Sequence, residues 1–211
     1  MNNKYDLRVI ITLIVFSLFL QIPVQLALGQ GHIHQKNGVV VNNNNNKNNF
    51  VTYENPVRGI KILYPADWQK TEQLSVNRFL VNFMSPFNNN NASAFPATVS
   101  VSVESLNQNI SADATNQYVT GLLDGAKRSL PDFQIIESSP KSSIASDSAY
   151  KIVYTFLSQD PAVQAHFQSM NIWTIKDKKV YSISYTELKP LYTTYLPTVQ
   201  KMIDSFEIIA K

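Results

Sequence analysis

The first candidate for chemistry in this 211-residue chain is the stretch Gln30-Gly31-His32. If the chain is cleaved after Gly29, a free amine, two backbone amides and the His32 imidazole can form a square-planar nitrogen site that suits Cu(II) or Ni(II). An N-terminal Gln that cyclises would remove the amine. The pattern therefore predicts a copper site only for a mature chain that begins with a free Gln30, and a disordered tail is the alternative.

His166 is the one histidine in the part of the sequence that is typical of a folded domain. A Ser-His-acid triad draws its members from distant parts of a chain, so a secreted hydrolase that uses His166 remains an alternative. However, the Gly-x-Ser-x-Gly turn that presents the nucleophile in many hydrolases does not occur. We therefore expect His166 to be exposed or hydrogen-bonded, with a structural role.

Motifs of the common cofactor enzymes do not occur in the sequence. It has no His-Glu-x-x-His, no Gly-x-x-x-x-Gly-Lys and no Gly-x-Gly-x-x-Gly, and it has only six glycines. Its carboxylates are spread over separate segments without a calcium-loop pattern. The examples are Asp67, Asp113, Asp124, Asp160 and Asp177. We expect most of them in solvated caps and turns, and the chain is predicted not to be an enzyme.

Residues 1–29 have the pattern of a secretory signal peptide. A charged start, an apolar run and two small residues before the cleavage site make up this pattern: Lys4 and Arg8, then Val9–Leu20, then Ala27 and Gly29. A retained signal anchor is the alternative, because the apolar stretch approaches the roughly 20 residues that a bilayer requires. Either outcome predicts an extracytoplasmic protein, and an uncleaved segment would be its only membrane contact.

Residues 30–49 are Asn-rich, contain no aromatic residue and have little that could pack, so we expect a flexible tether. The chain has no cysteine, which excludes a disulfide framework and a thiolate metal site. Its basic residues are scattered, and the formal charge is only +3. Nucleic acid is therefore not an expected partner, since phosphate binding requires clustered Lys and Arg.

Two short motifs match the acceptor pattern for N-glycosylation. They are Asn91-Ala92-Ser93 and Asn109-Ile110-Ser111, and both fall in predicted loops. We treat Asn91 and Asn109 as candidate modification sites. Trp68 and Trp173 could line a ligand cleft, but aromatic residues on strands more often fill a core.

Residues 50–211 have the size and periodicity of one α+β domain. Val99, Val101 and Val103 alternate with polar residues, which predicts a half-buried strand. Further strands are predicted at Ile60–Tyr64, Phe79–Met84, Phe133–Glu137, Ala149–Leu157, Asn171–Ile175 and Val180–Tyr185. Because short connections join them, the sheet should be mostly antiparallel. One of these connections is the charged stretch Lys176–Lys179, which has the length of a hairpin loop.

Two helices are predicted beside the sheet. The first spans Ser111–Leu130, with Ser111 as its N-cap and an apolar stripe that should face the sheet. Gly121 and Gly125 lie four residues apart within it, and we expect them to permit a close approach of the helix to the strands. The second helix should begin near Pro197, because proline is favoured in a first turn.

With these elements in order, the chain resembles the PsbP family. Tyr53-Glu54-Asn55 and the stretch Gly59–Trp68, which ends in Pro65-Ala66-Asp67-Trp68, resemble the opening of that family, and Met202–Phe206 resembles its last helix. The resemblance is strongest to small, stand-alone secreted members found in archaea. It implies an α-β-α sandwich built on an antiparallel sheet, and a non-catalytic role.

Photosynthetic PsbP members are extrinsic subunits of photosystem II that help to retain calcium and chloride. No family metal ligand matches a residue of this chain, so that activity is not carried over. We expect a secreted or surface-tethered PsbP-like binding module that associates with a membrane or cell-surface protein complex. An extracytoplasmic copper-binding protein that uses Gln30, Gly31 and His32 is the alternative.

Overall fold

The computed structural model describes residues 49–76, 78–87, 95–106, 114–161 and 163–209. From Phe50 onward the chain forms one compact unit. The predicted signal segment and nearly all of the predicted tether lie outside the described residues. None of the helices in the described part of the chain is long and apolar enough to span a bilayer.

The described residues form two α-helices, one short 3-10 helix at Lys189–Leu191, and ten strands. The helices are α1, Ala114–Ser129, and α2, Tyr192–Asp204. The strands are β1 Phe50–Asn55, β2 Ile60–Pro65, β3 Gln69–Leu74, β4 Arg78–Met84, β5 Thr98–Ser105, β6 Gln134–Ile144, β7 Asp147–Leu157, β8 His166–Lys176, β9 Lys179–Leu188 and β10 Glu207–Ile208.

The strands form two sheets in which neighbouring strands are antiparallel. The large sheet has the order β3-β4-β5-β9-β8-β7-β6, and the small sheet has the order β1-β2-β10. The predicted α+β class and the mostly antiparallel sheet are therefore confirmed. β6 and β3 are the two edges of the large sheet, and β10 is one edge of the small sheet.

The large sheet separates two layers because successive side chains of a strand point to opposite faces. One face carries Val101 and its β9 partner Ile183, and it packs in one core with residues of α2 and β2 such as Val199 and Ile62. The other face carries Ser102, whose hydroxyl is hydrogen-bonded to that of Ser182 at 2.7 Å. Helix α1 packs on this second face, over β7 and β8. An α-β-α sandwich results.

The central strands agree with their sequence pattern. Val99, Val101 and Val103 are buried and lie opposite Tyr185, Ile183 and Tyr181 in the register. The predicted hairpin connection after β8 is also confirmed, with Asp177 and Lys178 as its two turn residues. Their φ angles are 49° and 59°, as a type I′ turn requires. Trp173 on β8 is buried in the core, and so is Trp68, which lies in the bend between β2 and β3 and not on a strand.

The predicted start of α2 near Pro197 is wrong. The helix begins at Tyr192, and Pro197 lies inside it. Packing explains the early start, because the Tyr192 ring contacts Tyr185 at a centroid distance of 4.8 Å, and the Tyr185 hydroxyl donates to the Tyr192 carbonyl oxygen at 2.7 Å. Pro197 lacks the N–H that would reach the carbonyl of Thr193. Thr193 is exposed, so water can satisfy that carbonyl.

Other boundaries differ from the sequence prediction at the sheet edges. β3 was not predicted, because five of its six residues are exposed and it has no apolar alternation. β6 extends to Ile144, seven residues beyond the predicted end at Glu137, and is also mostly exposed. β8 begins at His166, five residues before the predicted Asn171.

Helix α1 is confirmed from Ala114 onward, and its predicted N-cap Ser111 lies outside the described residues. Its apolar stripe faces the sheet, with Val119 and Leu122 buried. The predicted close approach at Gly121 is wrong, because a Cβ added there would meet nothing within 4 Å. Gly125, in contrast, is buried.

Candidate functional site

An open groove of about 680 Å³ lies between α2 and the tip of the β6–β7 hairpin. Its floor is apolar and consists of the buried side chains Met170, Ile172, Ile203 and Phe206. Its rim is polar and includes Ser142, Ser143, Ser146, Gln200, Asp204 and Glu207. Polar groups make up most of the accessible surface of this groove, and its apolar residues lie almost wholly buried beneath that surface.

One wall of the groove is the hairpin tip, where β6 departs from a straight strand. The β6–β7 register shifts twice, between Ile135 and Glu137 and between Ser139 and Ser142. Bulges bend a strand and increase its twist. Beyond the second shift the pairing is regular up to Ile144, the last residue of β6.

The turn that closes this hairpin is backbone-strained. Ala145 and Ser146 have φ angles of 50° and 67°, and both line the groove. A two-residue type I′ turn requires these angles, but Asn and Gly adopt them more readily than Ala or Ser. The strain is therefore located at the rim of the candidate site.

The opposite wall is the last turn of α2, and Ser205 fixes its position. The Ser205 hydroxyl donates to the Met202 carbonyl oxygen at 2.7 Å and accepts from the Leu63 N–H at 2.9 Å. The helix end is thereby attached to β2. On the groove side, Gln200 Nε2 donates to Asp204 Oδ1 at 2.8 Å, so this amide orients the carboxylate.

Two charges at the groove already have partners of opposite sign. Lys151 Nζ lies 2.9 Å from the Glu137 carboxylate, and hydrogen bonds from Lys151 and Ser139 hold the pKa of Glu137 below its usual value. Glu207 pairs with Lys61 at 3.0 Å. Asp204, in contrast, is oriented by the uncharged Gln200 side chain, and its carboxylate remains the charge available to a cationic ligand.

The groove contains three serine hydroxyls but no histidine among its lining residues. His166 lies on β8, four residues before Met170, and an extended strand of that length spans about 13 Å. Its Nε2 lies 4.0 Å from Asp132 Oδ2, which is too long for a hydrogen bond, and both side chains are at least half exposed. His166 is exposed as expected, and the structure does not bring it to the groove serines.

The other predicted sites lie outside the described residues. These are the copper ligands Gln30, Gly31 and His32, and the glycosylation candidates Asn91 and Asn109. Among the residues that the structure describes, no group of three or more His, Cys, Asp or Glu side chains is placed to hold a metal ion. Of the five aspartates predicted in solvated turns and caps, Asp113 also lies outside, and the other four are exposed.

Sequence reasoning missed a polar cluster between α1 and the sheet. Arg78 lies opposite Glu104 in the β4–β5 register, and the Tyr118 hydroxyl is hydrogen-bonded to Glu104. Burial lowers the pKa of Arg78, whereas it raises the pKa values of Glu104 and Tyr118. Arg78 Nε is buried without a hydrogen-bond partner. The cluster joins the helix to the sheet.

A second missed group is Glu187 on β9, whose side chain is only 2% exposed. Burial raises its pKa to about 7, and the N–H of Leu188, which donates to Oε1 at 2.7 Å, partly opposes this shift. Gln168 is its cross-strand partner on β8. The alternation of side chains along β9 places position 187 on a buried face of the sheet. A glutamate is not expected at a buried position, so the sequence did not indicate that Glu187 is buried.

The groove was also not predicted, because its residues come from distant segments. Hydroxyls at Ser142–Ser146 and a carboxylate at Asp204 are ordinary surface residues in a sequence. Only the bend of β6 and the position of α2 bring them together.

A sequence model of the family described as PsbP-like protein matches residues 8–208. The chain belongs to this family. The resemblance expected from the opening strands and the last helix is therefore confirmed. Among curated protein sequences, none matches this PsbP-like protein.

Several solved structures share the fold of this PsbP-like protein. CyanoP, the cyanobacterial PsbP of Synechocystis sp. PCC 6803, has a TM-score of 0.54 at 14% identity over 75% of this chain and 92% of CyanoP. PA94 of Pseudomonas aeruginosa, a protein of unknown function, has a TM-score of 0.51 at 15% identity over 74% and 94%. LpqN, involved in cell envelope biogenesis of Mycobacterium tuberculosis, has a TM-score of 0.50 at 12% identity over 72% of this chain and 83% of LpqN.

Proposed function

We propose that this PsbP-like protein is a non-catalytic accessory module that binds a protein of a membrane or cell-surface complex outside the cytoplasm. The groove between α2 and the β6–β7 hairpin is the observation that carries the proposal. Family membership and the signal-peptide pattern predicted for residues 1–29 support it.

The composition of the groove favours binding over catalysis. Its accessible surface is mainly polar, and no histidine lines it beside the three serines. Met170, Ile172 and Phe206 lie beneath this surface and are almost wholly buried. Lys151 and Glu207 are neutralised by Glu137 and Lys61, so a partner need not supply a counter-ion for either of them.

Two proteins with the same fold supply a precedent for the type of role proposed. CyanoP is a cyanobacterial PsbP, and LpqN is involved in cell envelope biogenesis. Because these proteins share only the fold with this chain, their partners are not transferred to it. The proposal takes from them the type of role and not the identity of the complex.

Site-specific photo-cross-linking in the native host tests the groove as the contact surface. A photoreactive residue replaces Gln200, an exposed residue that lines the groove, and a matched control carries it at Thr194. Thr194 is exposed on another face of the same helix. We expect a discrete cross-linked protein in the membrane fraction from position 200 only. Equal yields from both positions, or none from position 200, would contradict the proposal.

The location is tested by the N-terminal sequence of the protein purified from its host and by its access to a protease added to intact cells. We expect a chain that begins at Gln30, or an uncleaved one, and in both cases digestion without cell lysis. A chain that is protected until the cells are lysed would place the protein in the cytoplasm and defeat this part of the proposal.

A further inference from the structure

Within the part of the chain that the structure describes, the small sheet presents an open edge to the groove. β10 is the edge strand of that sheet, and both of its residues, Glu207 and Ile208, line the groove. Successive side chains of a strand point to opposite faces of the sheet. A groove that ran along one face would therefore be lined by only one of two neighbouring residues. A strand that lines a groove with both residues presents its edge.

The hydrogen-bonding groups on this edge can be assigned. The N–H of Ile209 donates to the carbonyl oxygen of Gly59 at 3.0 Å, so the backbone of Ile209 is directed toward the chain preceding β2. In an antiparallel pair the direction of the backbone groups alternates from residue to residue. The N–H and C=O of Ile208 therefore point away from β2.

Among the described strands, β6 of the large sheet presents a second open edge to the same groove. Three consecutive residues of its edge strand β6, Ser142, Ser143 and Ile144, line the groove. A two-residue turn follows, so its flanking residues Ile144 and Asp147 form the hydrogen-bonded closing pair. Alternation then directs the N–H and C=O of Ser143 away from β7.

This last part of β6 has none of the features that normally protect a sheet edge. The earlier part contains two bulges and also the residues Pro140 and Lys141. Bulges, prolines and lysines all hinder the addition of another strand at a sheet edge. From Ser142 to Ile144 the register is regular and the residues are small or apolar. The unprotected stretch of β6 coincides with the stretch that lines the groove.

We propose that the groove binds an extended peptide segment of the partner as an added β-strand, hydrogen-bonded to Ile208 on one side and to Ser143 on the other. This inference rests on the proposed function, because it specifies how the partner is bound. Alternate side chains of the segment enter the groove above Met170 and Phe206, which are themselves almost fully buried. A Lys or Arg on the segment pairs with Asp204, the groove carboxylate that is oriented by the uncharged Gln200 amide.

The test uses a short acetylated peptide in which Val alternates with Thr and one Thr is replaced by Lys. Its matched control has the same sequence with N-methyl groups on alternate residues, which removes backbone donors but keeps every side chain. We expect the first peptide to bind the intact protein with a dissociation constant between about 10 μM and 1 mM. Amide hydrogen exchange should slow at both Ile208 and Ser143. The methylated peptide should not bind.

Three results would overturn the inference: no binding of the first peptide, equal binding of the methylated one, or slowed exchange at only one of the two residues. Asp204→Asn should weaken binding of the Lys peptide but not of a peptide with Thr at that place. Equal weakening for both peptides would mean that Asp204 does not select the cation.

A variant pair separates this inference from the proposed function. Ile208→Pro removes the outward N–H, and Ile208→Val keeps it. We expect the Pro variant to lose the peptide and the cross-link from position 200, whereas the Val variant keeps both. Thermal unfolding of both variants serves as the control that the Pro variant is folded. A folded Pro variant that keeps the cross-link would overturn strand addition but leave the proposed partner binding intact.

Discussion

Gly59 and Ile209 approach each other at the junction of the small sheet. The Ile209 N–H donates to the Gly59 carbonyl oxygen at 3.0 Å, and a Cβ added at Gly59 would lie 3.0 Å from the Ile209 carbonyl oxygen. Gly59 also has a φ of 74°, which L-residues with a side chain rarely adopt. The β1–β2 turn therefore depends on glycine for conformation and for space.

Gly59→Ala should lower the free energy of unfolding by about 1–2 kcal/mol, because Ala is strained at this φ and its Cβ crowds the Ile209 carbonyl. Gly121→Ala is the matched control. Gly121→Ala should raise the free energy of unfolding by about 0.5–1 kcal/mol, because Ala is the better helix former and there is open space at this position. Urea unfolding of both variants measures the difference. A Gly59→Ala variant as stable as wild type would contradict the assignment.

Glu187 should make the protein less stable as the pH rises from about 4.5 to about 7. Burial raises its folded-state pKa to about 7, so the folded state holds a proton that the unfolded state has released. The free energy of unfolding falls by at most about 3 kcal/mol, and the decrease is complete above the pKa that Glu187 has in the folded state. Glu187→Gln keeps an oxygen that can accept from Leu188 and removes the charge. This variant should be more stable than wild type at pH 8.

Thermal unfolding from pH 4 to pH 8 measures this effect of Glu187. Wild type should lose stability across the interval, and the Gln variant should lose less. If the two proteins differ by the same amount at every pH, Glu187 does not titrate in the folded state. The exposed residue Glu54 provides a control, because Glu54→Gln should leave the profile unchanged.

The central strands of the sheet were predictable because their own sequence pattern determines which face of each strand is buried. Val99, Val101 and Val103 have one apolar face, so pairing must bury that face. β3 lacks such a face, and its neighbour β4 holds it in the sheet. The start of α2 was mispredicted for a related reason: the contact between Tyr185 and Tyr192 outweighs the local preference of Pro197 for a first turn.

The candidate site was less predictable than the fold because no local pattern encodes it. Its floor residues Met170 and Phe206 are core residues in any periodicity analysis, and they become a groove floor because β6 bends away. The bulges that cause the bend follow from cross-strand register. Register depends on which strands pair, and a single segment does not contain that information.

The buried hydrogen bond between Asn171 and Tyr154 should contribute more stability than an exposed one on the same strand. Asn171 Nδ2 donates to the Tyr154 hydroxyl at 3.0 Å, and Asn171 Oδ1 is already buried without a partner. Tyr154→Phe would remove the acceptor of Nδ2 and should cost about 1–3 kcal/mol. Tyr150→Phe, which removes an exposed hydrogen bond to Ser138, should cost less than about 0.5 kcal/mol. Chemical unfolding of the two variants makes the comparison, and equal losses would contradict it.

The strained turn at the groove rim should be improvable without loss of binding. Ala145 and Ser146 both have positive φ, and replacing them by Asn and Gly gives the residues that a type I′ turn favours. We expect the double variant to be more stable by about 1–2 kcal/mol, because the left-handed conformation is costly for Ala and Ser.

The backbone of Ser143 lies outside this turn, so the double variant should bind the alternating Val-Thr peptide as wild type does. Thermal unfolding and peptide titration together measure the two effects. A more stable variant that binds the peptide worse would mean that the strain of Ala145 and Ser146 is used in binding, because the hairpin tip must then move when the segment enters the groove.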